Sequence, residues 1–142
     1  MPTRDELKQI SRTRLKEAKA LFSQGFYDGS IYLSGYVVET ALKAKICKLL
    51  HEPMYPESGK IGSAYKTHRI DDLILLAGLR EQLRGKLAND TQFNINWSLV
   101  TTWSETFRYR PIGTVLQADA SDIIDALEDS NYGIFTWIKR RW

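Results

Sequence analysis

Between Asp28 and Leu50 the chain is apolar around most of a helical circumference. Ile31, Leu33, Val37, Val38, Ala41, Leu42, Ala44, Ile46 and Leu49 leave no broad polar face. A helix apolar nearly all round has to be enclosed by other elements, so this segment predicts the middle helix of a bundle. Glu39, Lys43, Lys45 and Lys48 interrupt the run and make it a core helix rather than a membrane span. One stripe departs from the apolar pattern. Tyr32, Tyr36, Glu39 and Lys43 follow one another at intervals of 4, 3 and 4, which places them along a single face. Glu39 and Lys43 stand in the favourable order for an i,i+4 ion pair. Gly35 borders the stripe and allows close backbone approach.

The neighbouring segments read as further helices. Thr3 precedes Glu6 by three residues, a capping-box spacing. It predicts a first helix from about Thr3 to Gln24, with Leu7, Ile10, Ala18, Leu21 and Phe22 on one stripe and Gly25 as terminator. Arg14 falls in the middle of that stripe. Either its stem packs while its head escapes to water, or it meets a carboxylate in a buried or interface position. Pro53, Pro56, Gly59 and Gly62 mark residues 51–66 as the main loop. A third helix is expected from an N-cap at Thr67, carrying Ile70, Leu73, Ile74 and Ala77 until Gly78 breaks it, with a short helical piece over Arg80–Leu87. Asn89 to Asn96 reads as a turn and Trp97 to Trp103 as another short helix. After a loop marked by Pro111 and Gly113, a helix is expected from Leu116 to Glu128. Ile123, Ile124 and Leu127 point inward there, and Asp119, Asp122, Asp125 and Asp129 outward. A last helical piece spans Ile134–Trp142. No repeat and no convincing strand interrupts the 3.6-residue period. The prediction is an all-α, up-and-down bundle of four to five helices in a single domain, residues 1–142.

Composition narrows the class. At 142 residues, 43% hydrophobic and 26% charged, the chain has the profile of an ordinary soluble domain. A net charge of +3 is too small to imply nucleic-acid binding by itself. The single cysteine, Cys47, excludes an intramolecular disulfide and reads as a small buried hydrophobe. No apolar signal region lies in Met1–Lys8, and a cytoplasmic location without membrane attachment is expected.

The residues offer few conventional sites. With His51, His68 and Cys47 as the only histidines and cysteine, no zinc spacing exists, and neither a metal nor a cofactor is expected. His68 reads as a surface or supporting residue. There is no phosphate-binding glycine loop, GxSxG or HExxH. The segment Trp103-Ser104-Glu105-Thr106-Phe107-Arg108-Tyr109-Arg110-Pro111 is more informative, because it mixes aromatic rings with arginines just before a loop. Such a mixture suits stacking on a base and pairing with a phosphate, although Trp97, Trp103 and Phe107 are equally suited to filling the core. Lys139-Arg140-Arg141 could meet phosphates, complement its helix C-terminus or pair with the acidic residues of 116–128.

Several of these segments together are similar to HEPN domains. Arg14-Leu15-Lys16-Glu17-Ala18, Tyr27-Asp28-Gly29-Ser30 and the run Ser34 to Ala44 (SGYVVETALKA) resemble their first two helices. Thr67-His68-Arg69-Ile70-Asp71-Asp72-Leu73 resembles the third, and Trp103-Ser104-Glu105 with Arg108-Tyr109 the fourth segment. The resemblance runs from about Leu7 to the final helix. It implies a helical bundle, often a homodimer, and often a minimal nucleotidyltransferase as partner, sometimes as toxin and antitoxin. Several branches of the family are metal-independent ribonucleases with an arginine, four to six residues and a histidine as catalytic motif. Here Arg108 matches the arginine, but residues 109–115 contain no histidine, and neither His51 nor His68 has an arginine at the required distance.

The sequence therefore points to a non-catalytic HEPN module binding a nucleotide, RNA or a nucleotidyltransferase in a groove lined by Tyr32, Tyr36, Glu39, Lys43, Arg108 and Tyr109. Arg108 and Lys43 would meet phosphate, Tyr36 and Tyr109 would stack or donate hydrogen bonds, and Glu39 would orient Lys43 or Arg14. Two alternatives stand beside it: a divergent ribonuclease using Arg108, Tyr109 and His68, and a structural module in which the polar stripe is a homodimer seam.

Overall fold

The computed structural model describes residues 1–142. The capping box forms as its spacing requires. Thr3 Oγ1 accepts from the Glu6 amide at 3.2 Å, and the Glu6 carboxylate accepts from the Thr3 amide at 2.7 Å. These bonds start α1 (Arg4–Ser23), which ends before Gly25 at φ +81°. α2 (Tyr27–Leu50) returns antiparallel and packs along it. Their close approach depends on two serines that the apolar pattern hides. Ser11 Oγ donates to the Val37 carbonyl at 2.6 Å and Ser30 Oγ to the Ala18 carbonyl at 2.8 Å, both fully buried. Each hydroxyl is satisfied where an unpaired one would be costly. Arg14 projects to the side of this seam and pairs with Glu17 of its own helix at 2.8 Å, so its head reaches the surface.

The remaining elements enclose α2. They are α3 (Gly59–Gly62), α4 (Ile70–Leu76), α5 (Arg80–Asn89), α6 (Thr91–Val100), α7 (Gln117–Glu128) and α8 (Ile134–Lys139), with 3₁₀ turns at Ser63–Tyr65 and Glu105–Tyr109. α1, α4, α7 and α8 all pack on α2. The core joins Val37, Val38, Ala41, Leu42 and Ile46 to Leu73, Leu79, Phe93, Leu127, Phe135 and Ile138. Burying a large aliphatic or aromatic side chain stabilises by about 1.5–3 kcal/mol, which makes α2 the axis of the fold. The only extended pairing is an isolated bridge between Thr3 and Met54. No helix is long and apolar enough to cross a membrane.

Three expectations are corrected. The segment Asn89–Asn96 is not a turn, and the following helix does not run from Trp97 to Trp103; a single helix, α6, covers Thr91–Val100. Asp90 caps it by accepting from the Phe93 amide at 2.9 Å, a bond that also holds the Asp90 carboxyl below its ordinary range. Asparagine-rich composition suggests a turn, but Phe93, Asn96 and Val100 share a buried face, and Asn96 is satisfied by donating to the Tyr132 carbonyl at 2.9 Å. Helix α4 begins at Ile70 rather than beside Thr67. The Thr67 hydroxyl accepts from the Arg69 amide and donates to Asp72, making a turn ahead of the helix. The last helix stops at Lys139. Arg141 then folds back over the Trp137 ring at 4.3 Å and donates to the Trp137 carbonyl, so this arginine complements its own helix end.

Trp103 leaves α6 and lies on α2. Its indole N–H donates to the Tyr32 carbonyl at 3.0 Å, and its ring covers Gly35 so closely that a Cβ there would overlap the indole. The Gly35→Ala variant should lose about 1–3 kcal/mol through overpacking, with a shifted tryptophan emission. Chemical denaturation followed by fluorescence checks both, and wild-type stability would contradict the Trp103–Gly35 seat.

Candidate functional site

The polar stripe of α2 is covered by two different stretches of chain, and this divides the expected groove into two environments. Near the C-terminal end of α2, Glu39 and Lys43 are buried beneath residues 55–69. Glu39 Oε1 lies 3.1 Å from Lys43 Nζ and 2.9 Å from His68 Nδ1. Lys43 also reaches Glu57 Oε1 at 3.3 Å and stands over the Tyr55 ring at 5.0 Å. The Tyr55 hydroxyl donates to the Tyr65 carbonyl at 2.9 Å; burial, and then the negative charge of Glu57, push its pKa well up. Glu39 Oε2 is buried without a partner, so the carboxylate is held through one oxygen alone. Lys43 thus finds its counter-charges within the chain, and Glu39 orients Lys43 and His68 rather than Arg14. Pairing of Glu39 with His68 links α2 to the turn before α4. The i,i+4 rule that exposes the Lys43 pair in the sequence carries no information about a partner 29 residues away.

Toward the N-terminal end, Tyr32, Tyr36, Arg108 and Tyr109 come together. The hydroxyls of Tyr32 and Tyr36 share a hydrogen bond of 3.0 Å, and Tyr36 packs edge-on against Trp103 at 5.0 Å between centroids. Burial, then the bond to Tyr32, raises the Tyr36 pKa, so this phenol keeps its proton across the physiological range. The guanidinium of Arg108 lies 4.9 Å from the Tyr109 ring centroid. The phenol oxygens of Tyr109 and then Tyr32 hold its pKa above the ordinary value. No carboxylate is within ion-pair distance of Arg108, which is exposed together with Tyr109.

Both ends of the segment that carries Arg108 are fastened to α2. Trp103 holds one end. At the other, the Asp28 carboxylate accepts from the amides of Gly113 at 2.7 Å and Val115 at 3.3 Å. Gly113 adopts φ +84°, a conformation that favours glycine. The 3₁₀ turn aims Arg108 at the tyrosines and Phe107 with Arg110 to another side, the guanidinium of Arg110 stacking 3.8 Å from the Phe107 centroid. There they border a cleft of about 440 Å³ with Ile31, Val115, Asp119 and Asp122. This cleft was not apparent in the sequence, because its walls come from α2, α6 and α7 at once. His68 lines a smaller cleft of about 170 Å³ with Arg69, Ser104 and Glu105. No group of three His, Cys, Asp or Glu side chains is placed to hold a metal ion.

The fold is that of a small all-α bundle built around one enclosed helix. The HEPN domain model matches residues 5–132, nearly the whole chain, and the protein belongs to the HEPN domain family. No curated protein and no solved structure matches the chain at a significant level.

Replacing Glu39 by Gln removes the charge that His68 and Lys43 share while Glu57 still serves Lys43. The expected loss is about 1.5–3 kcal/mol, the range for hydrogen bonds to charged groups, whereas Arg14→Gln at an exposed pair should change stability by less than about 1 kcal/mol. Equal urea midpoints for the two variants would place Glu39 in solvent and refute the buried network.

Proposed function

We propose that this HEPN protein is a non-catalytic module that binds a phosphate-bearing ligand, a nucleotide or the RNA end that contains one, at the Arg108 face. The observation that carries this reading is the state of Arg108: exposed, steered by two phenols and free of any carboxylate. A guanidinium offers a planar fork of donors to a phosphate, and Tyr109 beside it supplies an exposed ring for stacking. Tyr32 and Tyr36 line the same face. Glu39 and Lys43 act from beneath, as the support of α2, rather than by touching ligand.

A nucleotidyltransferase partner fits the same face, since an unneutralised arginine flanked by tyrosines is also a common anchor of protein interfaces. Association into a homodimer is a separate proposal. The polar stripe gives it little support, because Lys43, Glu39 and the tyrosines already have partners within one chain. A ribonuclease reading would rest on His68, whose imidazole is held by a buried carboxylate, a common way of fixing a tautomer for proton transfer.

Titration with ATP, GTP and a short 5′-phosphorylated RNA, followed calorimetrically, tests the proposal. Arg108→Lys should fold normally and weaken binding about tenfold, since it keeps the charge and loses the fork; Arg108→Ala should weaken it further. No heat at millimolar ligand would remove the nucleotide reading and leave the protein partner, to be sought by co-purification with the product of the adjacent gene. RNA cleavage abolished by His68→Ala would replace the binding role with the catalytic one.

A further inference from the structure

The ion pairs of the molecule are made by Arg14, Lys19, Lys43, His68, Arg69, Arg84 and Lys86. None of them belongs to the face where α1 begins and α2 ends. Along α1, Arg4, Lys8, Arg12 and Lys16 recur at every fourth residue, a ladder of about 18 Å at 1.5 Å per residue. Lys45 and Lys48 of α2 stand beside it. The end of the chain closes the patch: Lys48 Nζ donates to the Arg141 carbonyl at 3.2 Å, and Lys8 and Arg12 lie 5.6 and 4.9 Å from the centroid of the Trp142 ring. Arg4 Nε is buried and bonds to nothing in the chain. Asp5, Glu17 and Glu52 are acidic residues beside the patch; Glu17 is taken by Arg14, and neither Asp5 nor Glu52 comes within ion-pair distance of these cations.

Like charges four residues apart on a helix repel, and burial followed by neighbouring cations lowers the pKa of both Lys8 and Lys45. The contacts to Trp142 and to the Arg141 carbonyl leave these charges without an acidic partner in the chain, so a polyanion is the natural counterpart. We infer that the Arg4–Lys16 ladder with Lys45 and Lys48 is a binding surface for the backbone of a nucleic-acid strand, separate from the Arg108 face. Regular spacing along a line fits a polymer with one charge per repeat. A membrane-surface helix would carry large apolar residues toward the headgroups, but the row on the solvent side of the ladder, Asp5, Gln9, Thr13 and Glu17, is polar throughout. Recognition would be insensitive to sequence, because phosphate contacts carry no base information.

The test is fluorescence anisotropy of a labelled, mixed-sequence, 20-nucleotide single-stranded RNA without a terminal phosphate, titrated with the full chain between 50 and 200 mM salt. Binding should weaken steeply as salt rises. A Lys8→Gln/Lys45→Gln double variant should keep or raise the melting temperature, bind at least tenfold more weakly at 50 mM salt, and reduce the slope of log K against log salt by about 1.4, near 0.7 for each cation removed from a single-strand complex. Arg108→Ala should leave this binding within twofold. Three results would overturn the inference: no binding at 100 µM protein, double-variant affinity equal to the parent's, or loss of binding in Arg108→Ala. Capture by vesicles of phosphatidylcholine and phosphatidylserine without capture of RNA would overturn it in favour of a membrane surface.

Discussion

The seat of Trp103 on Gly35 governs how the second half of this protein is laid over the first. An indole can rest on a helix backbone only where no Cβ intervenes, and the ring's N–H then reaches a carbonyl of the same helix, that of Tyr32. This single contact fixes where α6 ends and where the arginine-bearing turn begins. It also presses Tyr36 edge-on against the indole and so sets the rotamers of the tyrosine pair. Everything proposed for Arg108 depends on that placement, since the guanidinium itself makes no ion pair that would hold it.

Charge is handled in two opposite ways on the same helix. At Glu39 and Lys43 the chain folds a loop over the ions and supplies Glu57 and His68 as further partners. Removing one member of such a buried set costs more than the set contributes when intact, which makes it a lock on the loop's position. At Lys45 and Lys48, which follow within about a turn and a half, no acid is supplied, and Lys48 reaches only the Arg141 and Trp142 carbonyls. The difference begins in α2, where Lys43 alone of the three lysines has a glutamate four residues before it, and is completed by the covering segments, which add Glu57 and His68.

Much of the architecture was legible because it rests on local rules. Thr3 with Glu6 marked the start of α1, the apolar circumference of 28–50 marked the middle helix, and Gly78 marked a break that the structure realises at φ +68°. Family resemblance, carried by residues spread over the chain, identified the fold. The site was legible only in part. Tyr32, Tyr36, Arg108 and Tyr109 do come together, but nothing in a one-dimensional pattern distinguishes them from Glu39 and Lys43, whose burial is decided by a loop of distant sequence. The serines at the α1–α2 seam and the His68–Glu39 pair were missed for the same reason: each joins residues more than ten positions apart. Helix α6 was misread because asparagine propensity outweighed its buried face, and tertiary packing reversed that preference.

The double fastening of residues 103–115 to α2, by Trp103 at one end and the Asp28 carboxylate at the other, has an evolutionary side. Its two anchors are less than two turns apart on one rigid helix, so the fold specifies where the span departs and returns but not what lies at its tip. Ile112 at its tip is almost wholly exposed. Lengthening a closed loop is inexpensive, about 0.6 kcal/mol for each doubling. The exposed tip around Ile112 can therefore be lengthened or recomposed without disturbing the bundle, provided Phe107 and Val115 keep their places against the core, so what this surface recognises can change while the frame stays the same.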